Sequence, residues 1–310
     1  YRGAKGYILN AFALNRLLHK ITPDIINVHY ASGYGTLANL ARIPPYVLSI
    51  WGSDVYEFPY KSRFHQWLIK ANLKSAFKLA STSHAMAEQA QTLLPSLNNI
   101  AITPFGVDLA QFSVTHKVFT QDTITIGVVK RMEEKYGLDV LIKAFKFTRQ
   151  KLLQQNSEYT EKLRLLIVGD GALTHSLKET VAELDLLDVC QITGAVPHAQ
   201  VINYINQIDL FVVSSRIESF GVSVVEAAAC ERACIVSDVG GLPEVVVDGE
   251  TGFIVESESC EKFSNALMTM IENQEMAREM GKNARQFALA NYSEHLTMEI
   301  MVNMLNNSSS

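Results

Sequence analysis

The chain has 310 residues, 48% of them hydrophobic and 19% charged, with a net charge of −5, so it reads as an ordinary globular protein long enough for two domains of roughly 150 residues each. No apolar run reaches the roughly 18 residues needed to cross a bilayer and the amino terminus carries no signal-peptide pattern, which predicts a cytoplasmic protein. The charge is split, 11 Lys and Arg against 5 Asp and Glu in residues 1–117 and 16 against 27 in residues 118–310, and a basic half without a helix-turn-helix, zinc-finger or RNA-binding motif points to a phosphorylated substrate or an anionic membrane surface rather than nucleic acid.

Along the chain, short apolar runs alternate with helix-length segments. They are "DIINVH", "YVLSI", "KLAST" and "NIAIT", then "TITIGVV", "LRLLIVG", "VCQITG", "DLFVVSS", "ACIVSD" and "GFIV". Runs this short and this continuously apolar predict strands buried on both faces, and the intervening helices predict parallel crossovers. The expected fold class is therefore α/β, with two Rossmann-like parallel-sheet domains. The turn-rich stretch 104–122 separates them, giving 1–117 and 118–290, and a helical tail over 291–310 is expected to pack back on the first. The terminal "NNSSS" is expected to be disordered. Cys190, Cys230, Cys234 and Cys260 have no metal-ligand spacing and read as buried reduced thiols.

In open α/β sheets ligands sit beyond the carboxyl ends of the strands, so the candidate residues are those following each strand. His29 follows the first strand, as a candidate to act on a hydroxyl or as a plain structural histidine. Trp51 and Asp54 follow the second. Next, "KSRFHQWLIKANLKSAF" places Arg63, Trp67, Lys70, Lys74 and Lys78 within an arc of about 80° at 100° per residue, beside an apolar stripe of Phe64, Leu68, Ala71 and Ser75. A cationic stripe with an embedded Trp suits a helix lying on anionic lipid, and the competing reading is an ordinary solvated face. In "GVVKRMEEKYG", Arg131 and Lys135 are suited to one anion or to a solvated face. Gly169 and Gly171 follow the next strand, but Thr174 stands where a dinucleotide fingerprint has its third glycine, against a nicotinamide cofactor. Then "ESFGVSVVE" sets Glu218 in a loop and Glu226 in the following helix. Two acids beside helix amides can flank a diphosphate while each accepts hydrogen bonds from a sugar, or they can be a capping Glu and a solvated one.

The run from Ser214 to Val255, "SSRIESFGVSVVEAAACERACIVSDVGGLPEVVVDGETGFIV", resembles the signature of the retaining glycosyltransferases of family 4, whose GT-B fold faces two Rossmann-like domains across a cleft. The E-x7-E pair matches Glu218 and Glu226 and "DVGGLPEVVVDGETGFIV" matches the next block. The resemblance implies that Glu218 holds donor-sugar hydroxyls and Glu226 the ribose of the nucleotide. It implies that Ser219 and the amides of Phe220, Gly221 and Val222 take the sugar and distal phosphate, and that Arg131 and Lys135 neutralise the leaving diphosphate. Gly169 and Gly171 would line the nucleotide pocket, and Val196 and Pro197 would border the base. It implies a transferase that needs no cofactor or metal, in keeping with the lack of a DxD triplet, and that uses a nucleotide sugar, expected to be UDP-linked, as substrate. The acceptor implied is a polyprenyl-diphosphate-linked saccharide at the inner face of the membrane, and the activity an O-antigen N-acetylhexosaminyl transfer, N-acetylgalactosamine among the options.

Three features depart from the family. Trp51 stands where many members have a histidine, so it would supply a stacking wall with Asp54 as the polar contact, or the leaving phosphate would take the proton. The strand and glycine-rich loop that usually open the first domain are not found, which predicts a first domain short of its N-terminal strands. In "CERAC", Glu231 and Ala233 replace the usual Gly and Pro, in a turn expected to lie away from the phosphate site. A sugar-nucleotide 2-epimerase and an inactive nucleotide-sugar-binding subunit are the rival readings.

Overall fold

The central apolar runs form strands buried on both faces, and every residue of Val47–Ile50, Leu210–Val213 and Ala233–Ser237 is buried, whereas the edge strands depart from that expectation, Cys190–Ile192 and Ala101–Ile102 having no fully buried residue. The structure, a computed structural model, describes residues 4–307, and all ten runs are strands in it. Two units divide at Phe105/Gly106 and at Glu294/His295.

The first unit runs α1 (Ala4–Ile21), β1 (Asn27–His29), α2 (Gly33–Ala41), β2 (Val47–Ile50), α3 (Ser53–Tyr56), α4 (Arg63–Ser75), β3 (Lys78–Ser81), α5 (His84–Leu93) and β4 (Ala101–Ile102). Its four strands pair in parallel in chain order. The first three residues of the chain, expected to be a linker, lie outside the described residues, and α1 begins before the predicted "ILNAFALNRLLHK".

The second unit runs β5 (Ile124–Val129), α6 (Leu138–Gln154), β6 (Leu163–Val168), α7 (Thr174–Glu183), β7 (Cys190–Ile192), α8 (His198–Ile205), β8 (Leu210–Val213), α9 (Val222–Ala229), β9 (Ala233–Ser237), α10 (Leu242–Val245), β10 (Gly252–Val255), α11 (Cys260–Glu272) and α12 (Gln274–Asn291). Its six parallel strands have the order β10-β9-β8-β5-β6-β7. The order reverses between β5 and β8, and a crevice opens at such a switch point beyond the carboxyl ends of the two strands.

Two expectations are corrected here. The segment after Phe105 belongs with the second unit, earlier than the 117/118 boundary, because that unit's polar groups hold it. The Val107 amide donates to the Tyr292 carbonyl at 2.9 Å, Asn206 Oδ1 accepts the Thr115 amide at 2.8 Å, and Asp209 Oδ1 accepts that of Phe119. The chain returns to the first unit with α13 (Glu294–Asn306), whose Met301, Met304 and Leu305 pack on Val47 and Ala80. Of the terminal residues 306–310, expected to be disordered, Asn306 ends α13 and Asn307 donates its amide to the Asn303 carbonyl at 3.1 Å, because the helix carries on to them, while 308–310 lie outside the described residues.

The second correction concerns the basic face. Helix α4 stops at Ser75 because Ala76 is extended, so Lys78 is a strand residue whose Nζ donates to the Met304 carbonyl at 3.4 Å. The helix buries Ile69, Asn72 and Leu73 instead of the predicted apolar stripe, and Phe64 stacks on Trp67 in solvent at 5.9 Å. No helix among the described residues is long and apolar enough to cross a membrane.

Candidate active site

In the second unit, β5 ends at Val129 and β8 at Val213, so the residues that follow each strand flank the switch-point crevice. Lys130 and Glu218 bridge it. The Lys130 ammonium lies 2.5 Å from Glu218 Oε2, with both side chains about nine-tenths buried. Ser215 Oγ donates to the same oxygen at 3.3 Å, and the ammonium also stands 4.6 Å from the Tyr136 ring centre. One carboxylate oxygen of Glu218 is thereby fixed.

The loop carrying Glu218 is held on three sides. The Arg216 and Ile217 amides donate to the Lys135 carbonyl at 2.8 and 3.1 Å, and Ser237 Oγ donates to the Ser215 carbonyl at 2.6 Å. The Arg216 guanidinium grips both oxygens of Asp139 at 3.0 Å. Burial raises the Asp139 carboxyl, but the Arg216 hydrogen bonds and charge outweigh it and hold the group below its ordinary value. A fork-to-fork pair of this kind fixes direction as well as distance.

Arg131 and Lys135 do point the same way, although the backbone there is a short 3-10 turn over Glu134–Tyr136 rather than an α-helical face. Both reach Glu133, Arg131 Nη2 at 3.0 Å from one oxygen and Lys135 Nζ at 3.2 Å from the other. Glu133 thus pairs with both cations. Lys135 also lies 5.2 Å from the Tyr136 ring centre, so one ring links this pair to Lys130 and Glu218.

Gly221 precedes α9 and Val222 begins it. The first amides of a helix have no intrahelical acceptor, and here they lie just after Ser219 and the buried Phe220. Ser223 Oγ, on the first turn, is buried without a hydrogen-bond partner. Glu226 follows on the same helix, 6% exposed. Burial raises its carboxyl above the ordinary range, against the His198 hydrogen bond and the charges of His198 and Lys130. His198 Nε2 stands 3.2 Å from Glu226 Oε1. His198 is the first residue of α8, directly after Val196 and Pro197. Gly169 donates to the Gly194 carbonyl at 3.1 Å, and the loop carrying Gly171 lies on Met132, whose amide donates to the Asp170 carbonyl at 3.0 Å. The predicted residues of the second unit thus cluster at one end of one sheet.

In the first unit, His29, Tyr30, Trp51 and Phe105 form an aromatic group at the carboxyl ends of their strands. Trp51 is 4.9 Å from His29 and 5.5 Å from Phe105 between ring centres. Burial lowers the His29 imidazole below its ordinary value, and its Nδ1 is buried without a partner. Asp54 differs from expectation. It is fully buried, and its oxygens accept the amides of Ala31 and Gly52 at 2.8 Å and that of Trp51 at 3.2 Å. It ties the loops after β1 and β2 together and offers no open oxygen to a sugar. Among the described residues no His, Cys, Asp or Glu side chains gather in threes as a metal site.

Residues 114–287 match the family model described as glycosyl transferases group 1, and residues 1–83 one described as glycosyl transferase 4-like. The chain belongs to the group 1 glycosyltransferases. The glycosyltransferase is 26% identical over 296 residues to an uncharacterized glycosyltransferase of Methanocaldococcus jannaschii, covering 93% of this chain and 77% of that one. It is 31% identical over 228 residues to a putative teichuronic acid biosynthesis glycosyltransferase, TuaC, of Bacillus subtilis, covering 71% and 54%. Among solved structures, it superposes on a sucrose-phosphate synthase of Thermosynechococcus elongatus with a TM-score of 0.83 at 20% identity, over 99% of this chain and 80% of that one. On Anabaena HepE in complex with UDP and glucose the TM-score is 0.81 at 18% identity, over 98% and 83%. The fold is GT-B, two parallel-sheet α/β domains.

Sequence reasoning on the glycosyltransferase missed Lys130, Glu133, Tyr136 and His198. The first three were inside the quoted "GVVKRMEEKYG", where an i, i+4 spacing drew attention to Arg131 and Lys135 alone. Lys130 is 88 residues from Glu218 and His198 is 28 from Glu226, so only strand order could have paired them.

Proposed function

We propose that the chain is a retaining, metal-independent glycosyltransferase that moves a sugar from a UDP-linked donor to a lipid-linked saccharide in surface polysaccharide assembly. N-acetylhexosamine, including N-acetylgalactosamine for an O-antigen, is the donor sugar favoured. The observation that carries the reading is Glu218, fixed by Lys130 beside the orphan amides of α9 at a switch-point crevice. Support comes from relatives whose names are tied to such polymers, among them TuaC, the capsular polysaccharide glycosyltransferase CapM of Staphylococcus aureus and the lipopolysaccharide core mannosyltransferase LpcC of Rhizobium leguminosarum. HepE, bound to UDP and glucose, shares the fold.

In this proposal Glu218 accepts the donor-sugar hydroxyls, Glu226 the ribose hydroxyls, and Arg131 and Lys135 leave Glu133 for the diphosphate. The bond from the anomeric carbon to phosphate oxygen breaks, the acceptor oxygen bonds to that carbon on the same face, and the acceptor's proton goes to the departing diphosphate oxygen. Preplaced cations at the developing charge lower the barrier. His29, held neutral by burial, acts on a sugar hydroxyl. Calorimetry with UDP-, GDP- and ADP-sugars, followed by radiolabelled transfer into lipid extract, tests the proposal. Binding of no nucleotide sugar, or release of nucleotide with an epimerised sugar and no transfer, would refute it.

Glu226→Gln should separate stability from function. A buried carboxyl whose folded-state value is raised binds more protons folded than unfolded, so its charged form costs stability as pH rises through that window. Thermal melts should show the variant as stable as wild type or more so at pH 7.5, with the gap closing towards pH 4. Donor affinity should fall about 10- to 100-fold, as for losing a hydrogen bond to a charged acceptor.

Membrane docking is proposed through α4, where Phe64 and Trp67 are 63% and 62% exposed beside Arg63, Lys70 and Lys74. Arg63→Glu/Lys70→Glu/Lys74→Glu should cut flotation with phosphatidylglycerol vesicles at least about tenfold. Lys78→Glu, off the helix, should leave it unchanged, and equal effects would reject the assignment to this face.

A further inference from the structure

The second unit has a cationic cavity at the opposite end of its sheet, on the side of the strands' amino ends. Its volume is about 230 Å³, and its lining includes His116, Lys117, Arg232, Arg278 and Lys282 with Glu231 as the one carboxylate. Arg232 lies in the turn between α9 and β9, just before the amino end of β9. The donor crevice lies beyond the carboxyl ends of the same sheet, and the six residues of β5 alone span about 20 Å.

Arg232 is a fixed cation. It is 1% exposed, with Nη1 donating to the Ile208 carbonyl at 3.0 Å and Nη2 to Asn206 Oδ1 at 3.0 Å and the His116 carbonyl at 2.5 Å. All three acceptors are neutral. The Nε–H is buried without a partner, an uncommon state for so strong a donor. Burial draws the guanidinium below its ordinary value, against the nearby charges of Asp209 and Glu231. Asp209 is committed elsewhere, its oxygens accepting the Phe119 and Thr125 amides.

The outer cations are adjustable. Arg278 and Lys282 pair with Glu275 and Glu279 at 3.2 and 3.0 Å, those two acids being 78% and 59% exposed, and Arg278 also rests on Phe119, donating Nη2 to its carbonyl at 3.3 Å. Exposed pairs of this kind are worth little and yield easily to a better anion. Lys117 has no carboxylate partner among the described residues. A cavity lined by Lys117, Arg278 and Lys282 around the fixed positive charge of Arg232 matches a phosphate group, which takes donors from several directions. The volume lies below the roughly 300 Å³ at which pockets for drug-sized ligands begin, the scale of a small phosphorylated group rather than of a whole nucleotide sugar.

We propose that this cavity is a second anion site that binds a phosphate monoester or inorganic phosphate, separate from the donor crevice and independent of the transfer reaction assigned above. The test is equilibrium dialysis of the full chain with radiolabelled inorganic phosphate at fixed ionic strength. Parallel arms use a hexose 6-phosphate and vesicles of phosphatidic acid in phosphatidylcholine. Lys117→Ala/Lys282→Ala, on exposed positions, should weaken phosphate binding at least tenfold while leaving nucleotide-sugar binding at its wild-type value. Arg131→Ala/Lys135→Ala should leave a saturable phosphate site in place. Vesicle binding that free phosphate competes away and the cavity variant loses would assign the monoester to a lipid headgroup; tighter binding of the hexose phosphate would assign it to a soluble metabolite. Phosphate binding unchanged in the cavity variant, or abolished by the donor-crevice variant alone, overturns the proposal.

Discussion

Lys130→Met is expected to destabilise the protein by about 3 kcal/mol and to reduce donor turnover on the order of 100-fold. Methionine keeps the length and apolar stem of lysine, so the change is chiefly the lost ammonium. That ammonium is the counter-charge of Glu218 at 2.5 Å, and the two side chains are 12% and 10% exposed. Removing one member of a buried ion pair leaves the other desolvated and uncompensated, which costs far more than the intact pair contributes. The catalytic consequence has a different cause. Glu218 would turn towards Ser215 Oγ or solvent, and misplacement of a binding group by about 1 Å is enough for a 100-fold loss. A double-mutant cycle with Glu218→Gln separates the two effects. Urea unfolding should show the double variant recovering most of the stability lost in Lys130→Met, with no recovery of donor binding. If Lys130→Met melts and binds like wild type, the bridge across the crevice has no part in the site.

How much of this was legible beforehand depends on the range of the interaction. Strands such as "LFVV" and "ACIVS" could be read locally because burial on both faces imposes an unbroken apolar run, and all ten runs are strands. Glu218 and Glu226 could be placed because a single loop and the helix following it carry both. Lys130 could not. Its meaning depends on β5 lying beside β8, a neighbour relation set by sheet order, and β6, β7 and the helices between them intervene in the chain. Asp54 was misread for a related reason. A carboxylate in a strand-end loop can serve a ligand or serve the loop, and only the positions of the Ala31, Trp51 and Gly52 amides decide between them. Lys78 fell the same way, because the helical arc drawn through it assumed three more residues of helix than the extended backbone at Ala76 permits.

The Glu218 loop also depends on a residue with no side chain. Gly240 has φ +52°, and a Cβ placed there would lie 1.8 Å from the Glu218 carbonyl oxygen. Gly241, the next residue, donates its amide to that same oxygen at 3.1 Å. Gly240→Ala therefore faces two penalties, the left-handed backbone itself, about 1 kcal/mol, and a backbone collision that no rotamer can relieve. Gly249 provides the internal control. Its φ is +76°, and a Cβ there meets nothing within 4 Å, so Gly249→Ala should lose only the conformational part. Urea unfolding should place Gly240→Ala at least about 2 kcal/mol below Gly249→Ala, in the range where single substitutions signal a steric or buried-polar cause. Calorimetry should show the nucleotide-sugar affinity of Gly240→Ala falling by tenfold or more while Gly249→Ala binds as wild type, because the displaced atom belongs to Glu218 itself. Equal stability losses in the two variants would mean that the Glu218 loop moves aside at no cost, and the fixed carboxylate on which the donor site rests would not be fixed.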